Sequence, residues 1–216
     1  MPIEVNLIKL RSSNWRSVQQ SVIKGDNIPK IIEIHEVVKL QKNAILIIPG
    51  VGNISALVDE LRDKISIVQL RSYIELQKIK VIGICLGYQF LCSRSDEDKF
   101  AECLNLFDCV VESIFTPSKP SVGWGKLNVI NSKKNANPLS NLLIDKTFYF
   151  THSFGVKVSG FKLKAQDAFS YSPKGSEDLV AAIFNGNIIG FQFHLEKSGQ
   201  HGISLLSSTI NYLAGE

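Results

Sequence analysis

Val81-Ile82-Gly83-Ile84 is a short apolar run, and Cys85 follows it at once, flanked by Gly83 and Gly87. Beyond the cysteine, Tyr88, Phe90, Leu91 and Cys92 read as the first turns of a helix. A buried strand that passes straight into a helix leaves the residue between them on a sharp turn. Side chains two positions before and two positions after would crowd that turn, so glycine belongs at both. The pattern G-x-C-x-G is the thiol counterpart of the serine nucleophile elbow. It constrains the fold more than any other stretch, because it demands strand, turn and helix in immediate succession. Amides at the helix N-terminus would favour a thiolate and bind an oxyanion. Cysteine is also a common core residue, so this stretch alone leaves a buried structural thiol open.

The chain on either side repeats the strand–helix theme. Ile3 to Ile8 alternates and predicts a first strand. Trp15 to Ile23 predicts a helix that Asn14 or a preceding serine would cap and Gly25 would end. Lys30 to Val37 predicts a second strand, and Ala44 to Ile48 a strongly apolar third. The third runs directly into Pro49-Gly50-Val51-Gly52. Asn53 to Ser72 predicts a helix with Leu57, Leu61, Ile65 and Val68 on one face. Such alternation implies an α/β fold: an open, mainly parallel sheet flanked by helices. In such sheets ligands sit beyond the carboxyl ends of the strands. Pro49–Gly52 and Cys85 both fall at such ends, so loop amides could face the thiol and complete an oxyanion hole with the Leu86 amide. An ordinary turn is the bland alternative for that loop.

From Asp108 onward the pattern turns strand-rich. Strands are predicted over Cys109–Phe115, over Thr147–Phe154, over Val180–Phe184 and over Ile188–His194. Ser121–Ile130 reads as a turn followed by a strand. Asn185-Gly186 is a strong hairpin signal, and Ile203–Leu213 predicts a closing helix. The second half therefore adds antiparallel strands to the parallel sheet, within one domain spanning residues 1–216.

The 216 residues carry a net charge of +4 with scattered lysines. No basic stripe interleaved with aromatics suggests a nucleic-acid partner, and no apolar run is long enough to span a membrane. The four cysteines, Cys85, Cys92, Cys103 and Cys109, form no C-x-x-C pair. With nothing resembling a signal peptide at the N-terminus, a reduced, cytoplasmic protein is expected. No His/Cys/Asp cluster has zinc-ligand spacing, and no phosphate-binding P-loop is present.

A catalytic thiol needs a base. Of four histidines, His35 lies among alternating charges and reads as a solvated strand residue. His201 lies in a polar stretch before the last helix. His152, with Thr151 and Ser153, forms a polar break after an apolar strand and reads as a pocket wall. His194 ends an apolar strand, with Glu196 two positions on. Residues at i and i+2 of an extended segment share a face, so Glu196 could bond the ring nitrogen of His194 that faces away from the thiol. It would then hold the tautomer and stabilise the imidazolium. A charged strand end on the surface is the alternative, weakened by the elbow cysteine upstream.

Gly83-Ile84-Cys85-Leu86-Gly87-Tyr88-Gln89 together with Gln192-Phe193-His194-Leu195-Glu196-Lys197-Ser198 resembles the class I (triad) glutamine amidotransferases, of flavodoxin-like fold. Supporting stretches are Pro49–Gly52, Ser95-Asp96-Glu97-Asp98, Pro120–Trp124 and Tyr149–Phe154. Among these enzymes the last two bring the chain nearest to the glutaminase subunits of imidazole glycerol phosphate synthase. The resemblance implies that Cys85 attacks the side-chain amide of L-glutamine, that His194 moves the proton and that Glu196 orients His194. It implies an oxyanion hole from the Val51 and Leu86 amides. It implies a glutamine pocket from Gly52, Gln89, Glu97, His152 and Ser153, with no cofactor and no metal. Glu97 would meet the substrate's α-ammonium group. Ammonia would pass to a (β/α)8-barrel cyclase held as a heterodimer, with Pro120, Trp124 and Tyr149 near the interface. A core aromatic is the other reading of Trp124.

The chain departs from the family pattern in places. The turn from Leu7 to Asn14 lacks the usual acidic, aromatic and glycine residues, Ser121 stands for histidine, Gly125 for asparagine and Leu195 for proline. These departures gather on the expected docking side and leave the catalytic groups intact. They raise the alternative of a related barrel synthase that amidates a nucleotide-activated sugar. A silent regulatory subunit and a cysteine peptidase on the same fold are further alternatives, opposed respectively by the intact triad and by Gln89, Glu97 and His152-Ser153.

Overall fold

The computed structural model describes residues 1–11, 13–97, 101–131, 138–161 and 167–215. Ser12 of the first turn and Asp98 of the acidic stretch lie outside the described residues. The first half runs β1 (Glu4–Ile8), α1 (Trp15–Lys24), β2 (Ile28–Ile32), β3 (Ile45–Ile48), α2 (Ile54–Arg62), α3 (Ile67–Leu76), β4 (Lys80–Ile84) and α4 (Leu86–Leu91). The second half supplies β5 (Arg94–Ser95), β6 (Ala101–Glu102), β7 (Val110–Ser113), β8 (Ser121–Lys126), β9 (Asn128–Asn131), β10 (Thr147–His152) and β11 (Phe154–Gly155). It closes with β12 (Asp167–Tyr171), β13 (Leu179–Asn185), β14 (Ile188–Phe191) and α5 (Gly199–Ala214).

The main sheet has eight strands in the order β2-β1-β3-β4-β14-β13-β12-β9. The pairings from β2 through β14 are parallel, and those from β14 through β9 are antiparallel. The expected mainly parallel α/β sheet with antiparallel additions is therefore present. Its centre is apolar because β3 and β4 are covered on both faces: every residue from Ile45 to Ile48 and from Val81 to Ile84 is buried. Each such Val, Ile or Leu side chain contributes roughly 1.5–3 kcal/mol of transfer free energy. A two-residue hairpin forms one position beyond the expected pair: Asn185 still pairs with Ile188, and Gly186-Asn187 make the turn, with Gly186 in the left-handed region at φ 58°. Among the described residues no helix is long and apolar enough to cross a membrane.

Several boundaries differ from the sequence expectation. The second strand ends at Ile32, and Ile34–Lys39 is a 3-10 helix. Glu33 and Glu36 cap it reciprocally, and Ile34 and Val37, three apart, point to the core. His35 is exposed on this helix, not on a strand. The helix expected over 53–72 is two helices, because Ser66 and Gln69 form a capping box that starts α3 anew. Ser121–Lys126 is itself a strand, paired with β10 in a two-stranded ribbon. Alpha-helix α5 begins at Gly199 and takes in His201, which is exposed. Asn14 occupies the N-cap position of α1 without a side-chain capping bond, and Gly25 ends the helix at φ −90°. Gly25 packs closely on α5 instead: a Cβ there would lie 3.0 Å from the Ser207 Cβ, which would have to give by a few tenths of an ångström.

Candidate active site

The elbow is built as its sequence requires. Cys85 sits between β4 and α4 at φ 51° and ψ −103°, a backbone conformation that a non-glycine residue rarely adopts. Its amide is pinned to Phe191 O of β14 at 2.7 Å, and its carbonyl accepts the first helical bond from Gln89 N at 3.0 Å. The glycines permit this approach. A Cβ on Gly87 would lie 1.9 Å from Ile48 O, and one on Gly83 would lie 2.8 Å from Tyr88 N. Gly50 packs the neighbouring loop onto the same helix start, since its Cβ would meet the Leu86 Cβ at 2.4 Å. Parallel pairing of β3 with β4 thus brings Pro49–Gly52 beside Cys85, as the sequence suggested.

The polar groups around the sulfur come from segments far apart in the chain. His194, fully buried, follows β14 and is fixed by its amide to Tyr149 O at 2.9 Å. His194 Nδ1 bonds Glu196 Oε1 at 2.6 Å, and neither side chain is exposed. The same oxygen accepts from Asn14 Nδ2 at 2.5 Å. Ser198 Oγ donates to His194 O at 2.6 Å and accepts from Tyr149 N at 3.0 Å. Cys85 Sγ lies 3.9 Å from Thr151 O, to which the thiol can donate, and 3.7 Å from Gln192 Nε2.

Burial disfavours a charge on the His194 ring. The negative charge on the Cys85 sulfur, its hydrogen-bonding pull and then Glu196 outweigh burial and raise the imidazole from 6.5 to about 10. Nε2 is buried and makes no hydrogen bond of ordinary geometry. Catalytic hydrogen bonds are often long until substrate arrives. Burial raises Glu196, but its bond from His194 and the imidazolium charge more than compensate and hold the carboxyl below its usual value. The arrangement is a buried His194–Glu196 pair beside the Cys85 sulfur.

A cleft of about 480 Å³ opens over Cys85, within the range of small-ligand sites. Val51, Gly52, Cys85, Leu86, Gln89, Glu97, Pro120, His152 and Ser153 all line it. Glu97 is held by Ile54 N at 2.8 Å, at the start of α2. His152 forms the wall but offers no free ring nitrogen: Nδ1 donates to Phe154 O at 2.7 Å, and Nε2 accepts from the Tyr171 hydroxyl. Burial lowers its pKa from 6.5 to about 4, so the ring is neutral. Trp124 and Tyr149 lie apart from the cleft, edge to face on the β8–β10 ribbon with ring centroids 5.9 Å apart. Trp124 is 61% exposed, which removes its reading as a core aromatic. Lys197 sits over the Tyr149 ring at 5.8 Å.

Sequence reasoning misses three groups. Gln192 stands within a motif that assigns it no role, although a polar residue ending an apolar strand is a signal. Asn14 carries no local sign of its bond to Glu196, far along the chain. Tyr171 looks like an ordinary strand aromatic. Among the described residues no group of three or more His, Cys, Asp or Glu can hold a metal ion. Cys92, Cys103 and Cys109 are all buried and free.

The sequence matches the family Glutamine amidotransferase class-I over residues 9–211. It is 31% identical to imidazole glycerol phosphate synthase subunit HisH of Prochlorococcus marinus (strain MIT 9211), covering 99% of this chain and 96% of that one. It is 30% identical to the protein of the same name from Escherichia coli (strain K12), covering 95% and 98%. Among solved structures, it is similar to PurLQS from Thermotoga maritima, with a TM-score of 0.70 and 18% identity over 99% of this chain and 100% of that chain. A glutamine amidotransferase from Thermotoga maritima gives a TM-score of 0.62 and 12% identity, with both chains fully covered. These structural likenesses bear on the fold.

Proposed function

This chain belongs to the class-I glutamine amidotransferases, and on that premise we propose that it is the glutaminase subunit of an imidazole glycerol phosphate synthase. Residues 1–216 act as one glutamine amidotransferase domain in the cytoplasm. The observation that carries the chemistry is the buried His194–Glu196 pair at 2.6 Å, with the free imidazole nitrogen beside the elbow thiol.

Cys85 Sγ, its proton already held on His194 Nε2, adds as the thiolate to the side-chain carbonyl of L-glutamine. The resulting oxyanion is met by the Val51 and Leu86 amides, and the positive end of α4 supports it. Collapse releases ammonia, which takes its proton from the imidazolium, and leaves a γ-glutamyl thioester on Cys85. Water deprotonated by His194 then attacks the thioester and releases glutamate. Glu196 stays ionised, holds the Nδ1–H tautomer and offsets the imidazolium charge. Gly52, Gln89, Glu97, His152 and Ser153 hold the substrate. Glu97 faces the α-ammonium group, and His152 contributes backbone and shape, since both ring nitrogens are engaged.

The partner is a (β/α)8-barrel cyclase bound as a heterodimer through the face bearing Pro120, Trp124 and Tyr149. Exposure of Trp124 at 61% and of Val122, two positions before it on β8, at 58% supports this, since exposed large apolar side chains that lie together mark docking surfaces. The shared name of the relatives does not favour the alternative of a sugar-amidating synthase. The test is glutamine hydrolysis by the purified chain, alone and with a histidine-pathway barrel cyclase plus its ribulosyl ligand. Stimulation by cyclase and ligand is expected. Hydrolysis that ignores both would exclude this partner.

A further inference from the structure

Gln192 is completely buried, yet three consecutive hydrogen bonds dictate which way its amide faces. Phe154 O can only accept, so the Gln89 amide must present Nε2 to it, at 2.7 Å. The second hydrogen of that nitrogen goes to Gln192 at 3.1 Å, which therefore receives it on Oε1. Gln192 is left with its own Nε2 directed at Cys85 Sγ, at 3.7 Å. Reversing either amide would set donor against donor or acceptor against acceptor between two buried side chains, at a cost of about 1–3 kcal/mol per unsatisfied group. His152 Nδ1 donates to the same Phe154 carbonyl and holds it in place.

The Thr151 carbonyl also faces the sulfur, at 3.9 Å. A carbonyl there favours the thiol and disfavours the thiolate. We infer that Gln192 is a positioning residue for the nucleophile: its amide N–H, oriented through Gln89 by the Phe154 carbonyl, stabilises the Cys85 thiolate against the Thr151 carbonyl and keeps the sulfur aimed into the cleft. A donor to the charged form of an acid lowers the cost of ionising it. Gln89 thereby has a second task besides lining the glutamine pocket, because it transmits the orientation. This inference rests on the reading of Cys85 as the nucleophile.

The test is the pH dependence of Cys85 alkylation by iodoacetamide in the full chain, with the modified residue located by peptide mass spectrometry. Wild type is compared with Gln192→Met, which keeps the volume and removes the donor. The second variant, Gln192→Glu, keeps an acceptor for Gln89 and sets a carboxylate beside the sulfur. Loss of the donor moves the alkylation midpoint up by about one pH unit, roughly a tenfold loss of thiolate at neutral pH. Gln192→Glu moves it further in the same direction. With glutamine, kcat falls by about the same factor and KM stays near wild type. A residue that only filled space would alter stability without moving the midpoint. Unchanged midpoints in both variants overturn the assignment of Gln192. Preferential labelling of Cys92, Cys103 or Cys109 in wild type overturns instead the premise that Cys85 is the nucleophile, and the two failures are thereby distinct.

Discussion

His152 couples acid stability to the geometry of the site. Its ring is 6% exposed. Because Phe154 O can only accept, Nδ1 carries the hydrogen and Nε2 must accept from the Tyr171 hydroxyl. A second proton would turn Nε2 into a donor facing a hydroxyl and place a charge in an apolar wall near His194. Burial is the largest cause of the resulting fall from 6.5 to about 4. The unfolded chain thus binds a proton that the native chain refuses between those values. The stabilisation is complete above pH 6.5 and is lost as pH falls toward about 4. Across that window it amounts to about 3 kcal/mol, since each pH unit between the two values is worth about 1.4 kcal/mol. Urea unfolding of wild type and His152→Gln at half-unit steps from pH 8 to pH 4 isolates this contribution. His194, raised to about 10, has its stabilising effect in full below 6.5 and is common to both proteins. The carboxylates likewise titrate alike in both, so the difference between the curves reports His152. Wild type should lose about 3 kcal/mol more than the variant across the window. Parallel curves would refute the reading of a buried neutral imidazole.

Other perturbations have outcomes as definite. Gly87→Ala places a Cβ 1.9 Å from Ile48 O, so β3 or α4 must shift, and urea unfolding should show a loss of about 3 kcal/mol or more; near-wild-type stability would mean the turn is looser than described. Asn14→Leu removes a donor from the buried Glu196 carboxylate, and kcat for glutamine should fall roughly tenfold with KM little changed; a pure KM effect would place Asn14 in substrate binding. Glu196→Gln should slow hydrolysis less than His194→Gln, because Glu196 orients the ring whereas His194 carries the proton; equal or reversed losses in a kcat comparison would contradict those roles.

The elbow is legible in the sequence because its steric demand is local. Gly83, Cys85 and Gly87 announce strand, turn and helix by spacing alone, and the Ile48 carbonyl 1.9 Å from a Gly87 Cβ shows why no larger residue fits. His194 and Glu196 are legible by their spacing, but the extended segment expected through them is not formed: β14 stops at Phe191, and Glu196 meets the ring from the 3-10 helix Leu195–Lys197 that His194 opens. The apolar runs of β3 and β4 likewise announce a sheet covered on both sides. Signals fail where a long-range contact overrides a local preference. Asn14 stands where a helix cap belongs, but its side chain serves Glu196. Gly25 stands where a left-handed cap belongs, but it makes room for Ser207. The 3-10 helix after β2 and the break between α2 and α3 arise from reciprocal capping pairs, Glu33 with Glu36 and Ser66 with Gln69. Those pairs are visible in sequence but compete with hydrophobic periodicity that runs through them. Gln192 acquires its role only through Phe154 and Gln89, on other segments of the chain.

The proposed hydrolysis of glutamine by Cys85, served by His194 and Glu196, is the step on which the rest of the account depends. The most direct measurement is the rate of glutamate formation by wild type and by Cys85→Ala, each mixed with the barrel cyclase and its ribulosyl ligand, with complex formation followed by size-exclusion chromatography. Removing the sulfur deletes the bond-forming atom and only a small buried volume, so fold and docking should survive. Both proteins should elute as the complex while only wild type releases glutamate. Glutamate release by Cys85→Ala at a rate near that of wild type would contradict the assignment of Cys85 as the nucleophile.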